Sequence, residues 1–173
     1  MSKDLQEFTG LIEQWAEDRN LHTADPIKQY DKLIEEFGEL MKGINKQDMP
    51  MIKDSIGDMY VVLVVMGRQI GLSMADLLKD ESLDTLRPEH STFGYVRDLN
   101  RLADNMKSNE FYDGYVFIWN ASDIEKQLAK TCGEYEIAFV DCVELAYNEI
   151  KDRKGEMRDG KFVKSEDLQE ADQ

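Results

Sequence analysis

The chain has 173 residues and a formal net charge of −15, with 36 acidic against 21 basic side chains. That length suits one domain with a sizeable core, and the negative field disfavours attachment to nucleic acid or an anionic membrane, so neither partner is expected. The N-terminus lacks the basic region and apolar run of a secretion signal, Cys132 and Cys142 show no ligand-like spacing, and the longest apolar run, Met59 to Met66, is too short to span a bilayer; a reduced, cytoplasmic setting is the expectation.

Helical periodicity runs through most of the chain and predicts an all-α fold. Leu5, Phe8, Leu11, Ile12 and Trp15 recur at spacings of three and four and define an amphipathic helix that fades near Asn20. Asp25 and Pro26 form a helix start, and the stripe Leu33, Phe37, Leu40, Ile44 carries a second helix over residues 26–44. After the polar link Asn45-Lys46-Gln47, Asp48 and Pro50 open a third helix that continues to Gly71. Its centre, Tyr60-Val61-Val62-Leu63-Val64-Val65, has the composition of a buried strand, but the length of the pattern favours a helix.

Ser73 and Asp76 resemble a capping box that opens a shorter helix ending before Pro88. Residues 91–107 read as helical, whereas Phe111 to Asn120 packs aromatics around Gly114 without a clean period and reads as irregular or short strand. Ser122 and Glu125 form a second capping box, from which a helical pattern extends to Lys154, with Gly133 a point of interruption and Gly155 its C-terminal cap. Asp159-Gly160 marks a turn. The organisation is one domain over residues 1–165 and a mobile acidic tail over 166–173.

Within the second helix, Glu35, Glu36 and Glu39 crowd three carboxylates into LIEEFGEL. At about 100° per residue, Glu36 and Glu39 lie at the edge of the apolar stripe and Glu35 points further towards solvent. On the third helix, Asp54 and Asp58 share one face with Val61, Val62 and Val65. The short link folds the two helices into an antiparallel hairpin centred near Lys46 and Gln47, which sets Glu39 level with Asp54 and Glu36 level with Asp58. One acidic triplet alone is better explained as a solvated face; a second cluster in register reverses that judgement. Four converging carboxylates repel one another, and a hard divalent cation resolves the conflict. Oxygen-only donors suit Mg²⁺, with Mn²⁺ possible, better than zinc, and both histidines, His22 and His90, lie elsewhere.

EEFGE, Glu35 to Glu39, followed by SIGD, Ser55 to Asp58, resembles the EExxE and ExxD signature of the MazG-like all-α nucleotide pyrophosphohydrolases, a group related to dimeric dUTPases. The likeness covers residues 5–80 best and resumes at Ala146 to Gly155, with a segment near 86–130 resembling an insertion. It implies a helical bundle in which the EExxE helix pairs antiparallel with the SIGD helix and oligomerisation, to a dimer or tetramer, completes the core. It implies Glu36, Glu39 and Asp58 as metal ligands, with Glu35 as a further ligand or supporting group. Ser55 stands where the pattern has glutamate, and Asp54, in phase with Asp58, is the candidate to replace it. The implied reaction is Mg²⁺-dependent hydrolysis of a nucleoside triphosphate to a monophosphate and pyrophosphate, with one of Glu35, Glu36 and Glu39 accepting the proton of the attacking water.

The phosphates then need cations. Asn148 and Lys151 share a helix face, Tyr147 and Lys154 sit beside it, and Arg153 points to the opposite side. Asn148, Lys151, Lys154 and Tyr147 are therefore candidate substrate contacts, against the competing explanation that the cations only complement a helix C-terminus. Trp15 is a candidate for stacking on a base, although an aromatic at this spacing is more often a core residue. Two alternatives stay open: a catalytically weak or inactive nucleotide-binding relative of the same family, suggested by Ser55, and an acidic protein that mimics nucleic acid.

Overall fold

The computed structural model describes residues 4–77, 92–108, 114–158 and 161–164, with side chains described as far as Gly155. The architecture is all-α. Helix α1 spans Leu5–Asp18, α2 Pro26–Lys46, α3 Met49–Gln69, α4 Met74–Leu77, α5 Thr92–Lys107, α6 Gly114–Glu134 and α7 Phe139–Ile150. A 3₁₀ turn at Leu21–Thr23 links α1 to α2.

The start signals at Asp25 and Asp48 work as expected, and α1 has a further one of its own. Asp4 and Glu7 form a reciprocal capping box on α1, the Asp25 side chain accepts from the Ile27 N–H ahead of Pro26, and Asp48 accepts from Met51 N–H. Each aspartate satisfies a backbone donor that the first helical turn leaves unpaired. The α2–α3 link is tight: Gln47 takes a left-handed conformation (φ 53°), and Gly43 lies so close to α3 that a Cβ there would come within 3.1 Å of Ile52. The two helices therefore fold back antiparallel, with Gly43 opposite Ile52.

Helix α3 is the hub, packed against α1, α2, α6 and α7. From Ser55 to Gly67 every residue except Asp58 is buried, so the β-branched run is accommodated as a helix enclosed on all sides. Tyr60 illustrates the enclosure, its hydroxyl 2.8 Å from Thr9 Oγ1 of α1 and its ring edge-on to Phe139 of α7. Helix α7 approaches α3 most closely at Gly57, where a Cβ would lie 2.2 Å from the Cys142 carbonyl oxygen.

Helices α5 and α6 form a second pair, joined across their length by Tyr95 and Thr131 hydroxyls at 2.7 Å and by Gln127 donating to the fully buried Asp98. The pair leans on α2 through Phe37 against Tyr95 and through Tyr30, which donates to the Leu99 carbonyl. Cys132 on α6 and Cys142 on α7 are buried free thiols.

Four expectations from the second half require correction. The described part of the aromatic run is helix rather than strand: residues 114–120 open α6, with Phe117, Ile118 and Asn120 inward and Tyr115 and Trp119 outward, an i, i+4 pattern that the neighbouring aromatics in the sequence obscured, while residues 111–113 lie outside the described residues. Ser122 and Glu125 consequently lie inside α6 and cap nothing. The break falls after Gly133, where Glu136 is left-handed (φ 54°) and the Ile137 N–H bonds back to the Cys132 carbonyl. Helix α7 ends at Ile150, and Gly155 opens an antiparallel strand pair, β1 Gly155–Arg158 and β2 Lys161–Lys164, with Arg158 opposite Lys161. The expected turn at Asp159-Gly160, the tail over 166–173 and residues 78–91 lie outside the described residues.

Candidate functional site

A cleft of about 420 Å³ opens between the N-terminal half of α2 and the chain that leaves α7, a size suited to a small ligand. Its apolar floor is Val61, Val62 and Val65 of α3, with Leu21, Trp15 and Ile150 beside them. The polar wall comes from α2, which contributes Lys28, Lys32, Glu35 and Glu36 at helical spacing. Asp58 and Arg153 also line the cleft.

The far wall is held by α1. Helix α7 ends with carbonyls that lack helical partners, and α1 satisfies them: Trp15 Nε1 donates to Ile150 O at 2.8 Å, and the Arg19 guanidinium donates to the carbonyls of Lys151 and Arg153 at 3.0 and 2.8 Å. Arg19 also stacks over the Trp15 ring at 5.2 Å. Trp15 thus lines the cleft while its indole N–H fixes α7 and Arg19 occupies one face of its ring.

The acids divide by position. Glu36 is 3% exposed, and burial raises its pKa, an effect that Lys32 opposes by hydrogen bond and charge while Glu39 and Glu35 add to it. Burial pushes Asp58 up to about 7, reinforced by the charges of Glu36 and Asp54 and opposed by Arg153. The influence of Glu36 on Asp58 agrees with the expected register of the hairpin. Asp54 is raised by burial and then by Glu149 of α7, again with Arg153 opposing. Lys32 lies 2.7 Å from Glu36 Oε1 and 3.2 Å from Glu35 Oε2. Burial pushes its ammonium down, but the hydrogen bonds and charges of the two glutamates outweigh this and leave it raised.

The expected four-carboxylate cluster is brought together only in part. Glu36, Asp58 and Asp54 share the α2–α3–α7 junction, whereas Glu39 is exposed and does not line the cleft. The buried stripe of α2 is Leu33, Glu36, Leu40 and Gly43, and Glu39 falls about 80° from its centre, so it does not point inward as the broader apolar pattern suggested. Among the described residues no group of three or more His, Cys, Asp or Glu side chains is poised as it stands to hold a metal ion. The chemistry of the donors nevertheless fits Mg²⁺: they are all oxygen, Glu36 is buried and Asp58 half-buried, and the neighbouring Ser55 hydroxyl is fully buried without a hydrogen-bond partner.

The expected phosphate contacts do not line the cleft. Asn148 and Lys151 are exposed and bonded to each other at 2.8 Å, Lys154 is exposed, and Tyr147 packs its ring on Phe8 of α1. Arg153, placed on the opposite face by an uninterrupted helix, lines the cleft because α7 has already ended and residues 151–154 turn back across it. Lys28 and Lys32 went unread, although their i, i+4 spacing and that of Lys32 to Glu36 were visible signals.

These features define an all-α chain with a cleft that holds a buried and a half-buried carboxylate, Glu36 and Asp58, beside three cationic side chains. No family model matches the chain, and no solved structure matches it. It is similar to an uncharacterized 18.2 kDa protein in the rep-hol intergenic region of Haemophilus phage HP1 (strain HP1c1), with 55% identity over 67 residues, or 38% of this chain and 41% of that protein. The match thus spans less than half of either chain.

Proposed function

We propose that the protein is a MazG-like, Mg²⁺-dependent nucleoside triphosphate pyrophosphohydrolase, converting (d)NTP to (d)NMP and pyrophosphate. The observation that carries this reading is the pairing of Glu36 and Asp58 across two antiparallel helices, both held against ionisation, at a cleft that also presents Lys28, Lys32 and Arg153. Such an arrangement is far more costly than a solvated acidic face and is typical of functional sites.

Glu36 and Asp58 would hold the ion, with Asp54, one helical turn from Asp58, as a further oxygen donor. When bound, Mg²⁺ neutralises phosphate oxygens and lowers the pKa of its water. The chain's own residues supply the rest. Lys28, Lys32 and Arg153 draw the triphosphate into an otherwise negative protein. The valine floor excludes water beside the reacting group, and one of Glu35, Glu36 and Glu39 accepts a proton. The exposed apolar side chains Ile27, Phe93, Tyr115 and Trp119 support assembly as a homo-oligomer, a dimer or tetramer.

A second reading, nucleotide binding with weak or no turnover, is favoured by Ser55 at the expected glutamate position and by the incomplete convergence of the acids. A screen of nucleoside triphosphates with Mg²⁺, resolving monophosphate and pyrophosphate, separates the two: pyrophosphate release that disappears in Asp58→Asn supports hydrolysis, and nucleotide binding without release supports the second reading.

A further inference from the structure

We infer that Lys32 is a displaceable internal counter-ion, an exclusive rival of the divalent cation for Glu36, which passes to the phosphates of the ligand once the cation has taken its place. The inference rests on the metal-dependent reading above and adds an exchange to it.

The geometry sets up the competition. Lys32 Nζ sits 2.7 Å from Glu36 Oε1, and Glu36 is buried where Asp58 acts on the same space from α3. A divalent ion ligated by that carboxylate and an ammonium hydrogen-bonded to it would stand within a few ångströms of each other as like charges, so one must leave. Lys32 is equipped to leave. Its side chain is 47% exposed on a flexible four-carbon stem, and Glu35, 3.2 Å away and more exposed, offers an alternative anion without any backbone movement. Lys32 also lines the cleft, so that after release the nearest new anion is a bound phosphate. Glu35 then has a role distinct from ligation: it shares Lys32 with Glu36 and holds the ammonium at the cleft mouth during exchange. The i, i+3 and i, i+4 spacing of Lys32 to Glu35 and Glu36 makes this exchange local to one helical turn.

The test uses the full chain and Lys32→Met, which keeps the hydrophobic stem and helix propensity while removing the charge. Mn²⁺ binding, read by the loss of the free-ion electron paramagnetic resonance signal, should tighten at least threefold or so in Lys32→Met, the scale expected for losing one competing ion pair. With Mn²⁺ saturating, binding of inorganic tripolyphosphate measured by calorimetry should weaken by about tenfold, the scale of one lost charge-assisted hydrogen bond. Lys32→Arg, which retains the competing charge, should stay near wild type in the Mn²⁺ titration. Mn²⁺ binding that is unchanged or weaker in a folded Lys32→Met protein overturns the exclusion, and unchanged tripolyphosphate affinity overturns the transfer to phosphate. Wild-type protein that binds no Mn²⁺, or binds it equally in Asp58→Asn, overturns the metal-dependent reading itself and the exchange with it.

Discussion

Gly57 lies inside the SIGD motif, and the fold gives that glycine a physical reason. A Cβ built there would sit 2.2 Å from the Cys142 carbonyl oxygen, 2.8 Å from Ala146 Cβ and 3.0 Å from the Cys142 carbonyl carbon. Two of these three obstacles are backbone atoms of α7, so Gly57→Ala cannot be absorbed by turning a side chain. Helix α7 must back away by about 1 Å, loosening Val143, Ala146 and Ile150 against α3. Overpacking costs about 1–3 kcal/mol and more where backbone must shift, and here a gross cost near 4 is expected. Alanine returns about 1 kcal/mol through helix propensity. The net expectation is a loss of about 3 kcal/mol. Gly38 in the EEFGE motif is the control, because nothing lies within 4 Å of its virtual Cβ; Gly38→Ala should gain about 0.5–1 kcal/mol. Urea titrations followed by far-ultraviolet circular dichroism give both values if the slope m stays constant. Gly57→Ala within about 0.5 kcal/mol of wild type would refute the close approach of α7 to α3, since helix propensity alone cannot hide a clash of that size.

Asp58→Asn should abolish pyrophosphate release with helical circular dichroism retained; wild-type turnover in purified Asp58→Asn would sink the metal-site assignment. Glu125, raised to about 7 by burial against the opposing charge of Lys126, contributes stability that is present below its unfolded pKa of 4.5 and lost as pH rises through 7. Glu125→Gln should therefore be more stable than wild type at pH 8, by up to about 3 kcal/mol, and the gain should vanish at pH 4, as denaturant midpoints at the two pH values will show. Light scattering at micromolar concentration should give at least a dimer, and a monomer would contradict assembly through the exposed apolar faces. Asp54→Ala should weaken Mg²⁺ dependence far more than Ser55→Ala, and Ser55→Glu should recover part of the Asp54→Ala loss. Ser55→Ala should also leave stability unchanged or raise it by about 1 kcal/mol, because it removes a buried hydroxyl without a partner; an Asp54→Ala protein with a wild-type Mg²⁺ titration would show that Asp54 takes no part.

The first half of the fold was legible because its signals are local and agree with one another. Asp25-Pro26 and Asp48-Pro50 fix two helix starts within a residue or so, and the short link between them leaves an antiparallel hairpin as the available geometry. The second half was misread where local chemistry points away from the tertiary answer. Phe111 to Asn120 looks strand-like because aromatic residues fit sheets, yet packing Phe117 and Ile118 inward on α6 overrides that preference. The boundary of α7 was lost for a related reason. Its last carbonyls are capped by Trp15 and Arg19, residues more than 130 positions away, and no window around Lys151 contains that information.

That remote cap also decides which cation serves the site. An α7 continued to Lys154 would hold Asn148 and Lys151 on one face and send Arg153 away. Capping from α1 ends the helix at Ile150 instead, and residues 151–154 turn so that Arg153 enters the cleft with its charge acting on both Asp54 and Asp58. The acids, by contrast, were readable from helical phase alone, since Glu36 and Asp58 lie on uninterrupted helices whose register one short turn fixes. Glu39 marks the limit of such phase arguments: a rotation of about 80° from the buried stripe is enough to leave a carboxylate in solvent. The negative half of this site is therefore written in two neighbouring segments, while much of its positive half depends on how α1 closes over the end of α7.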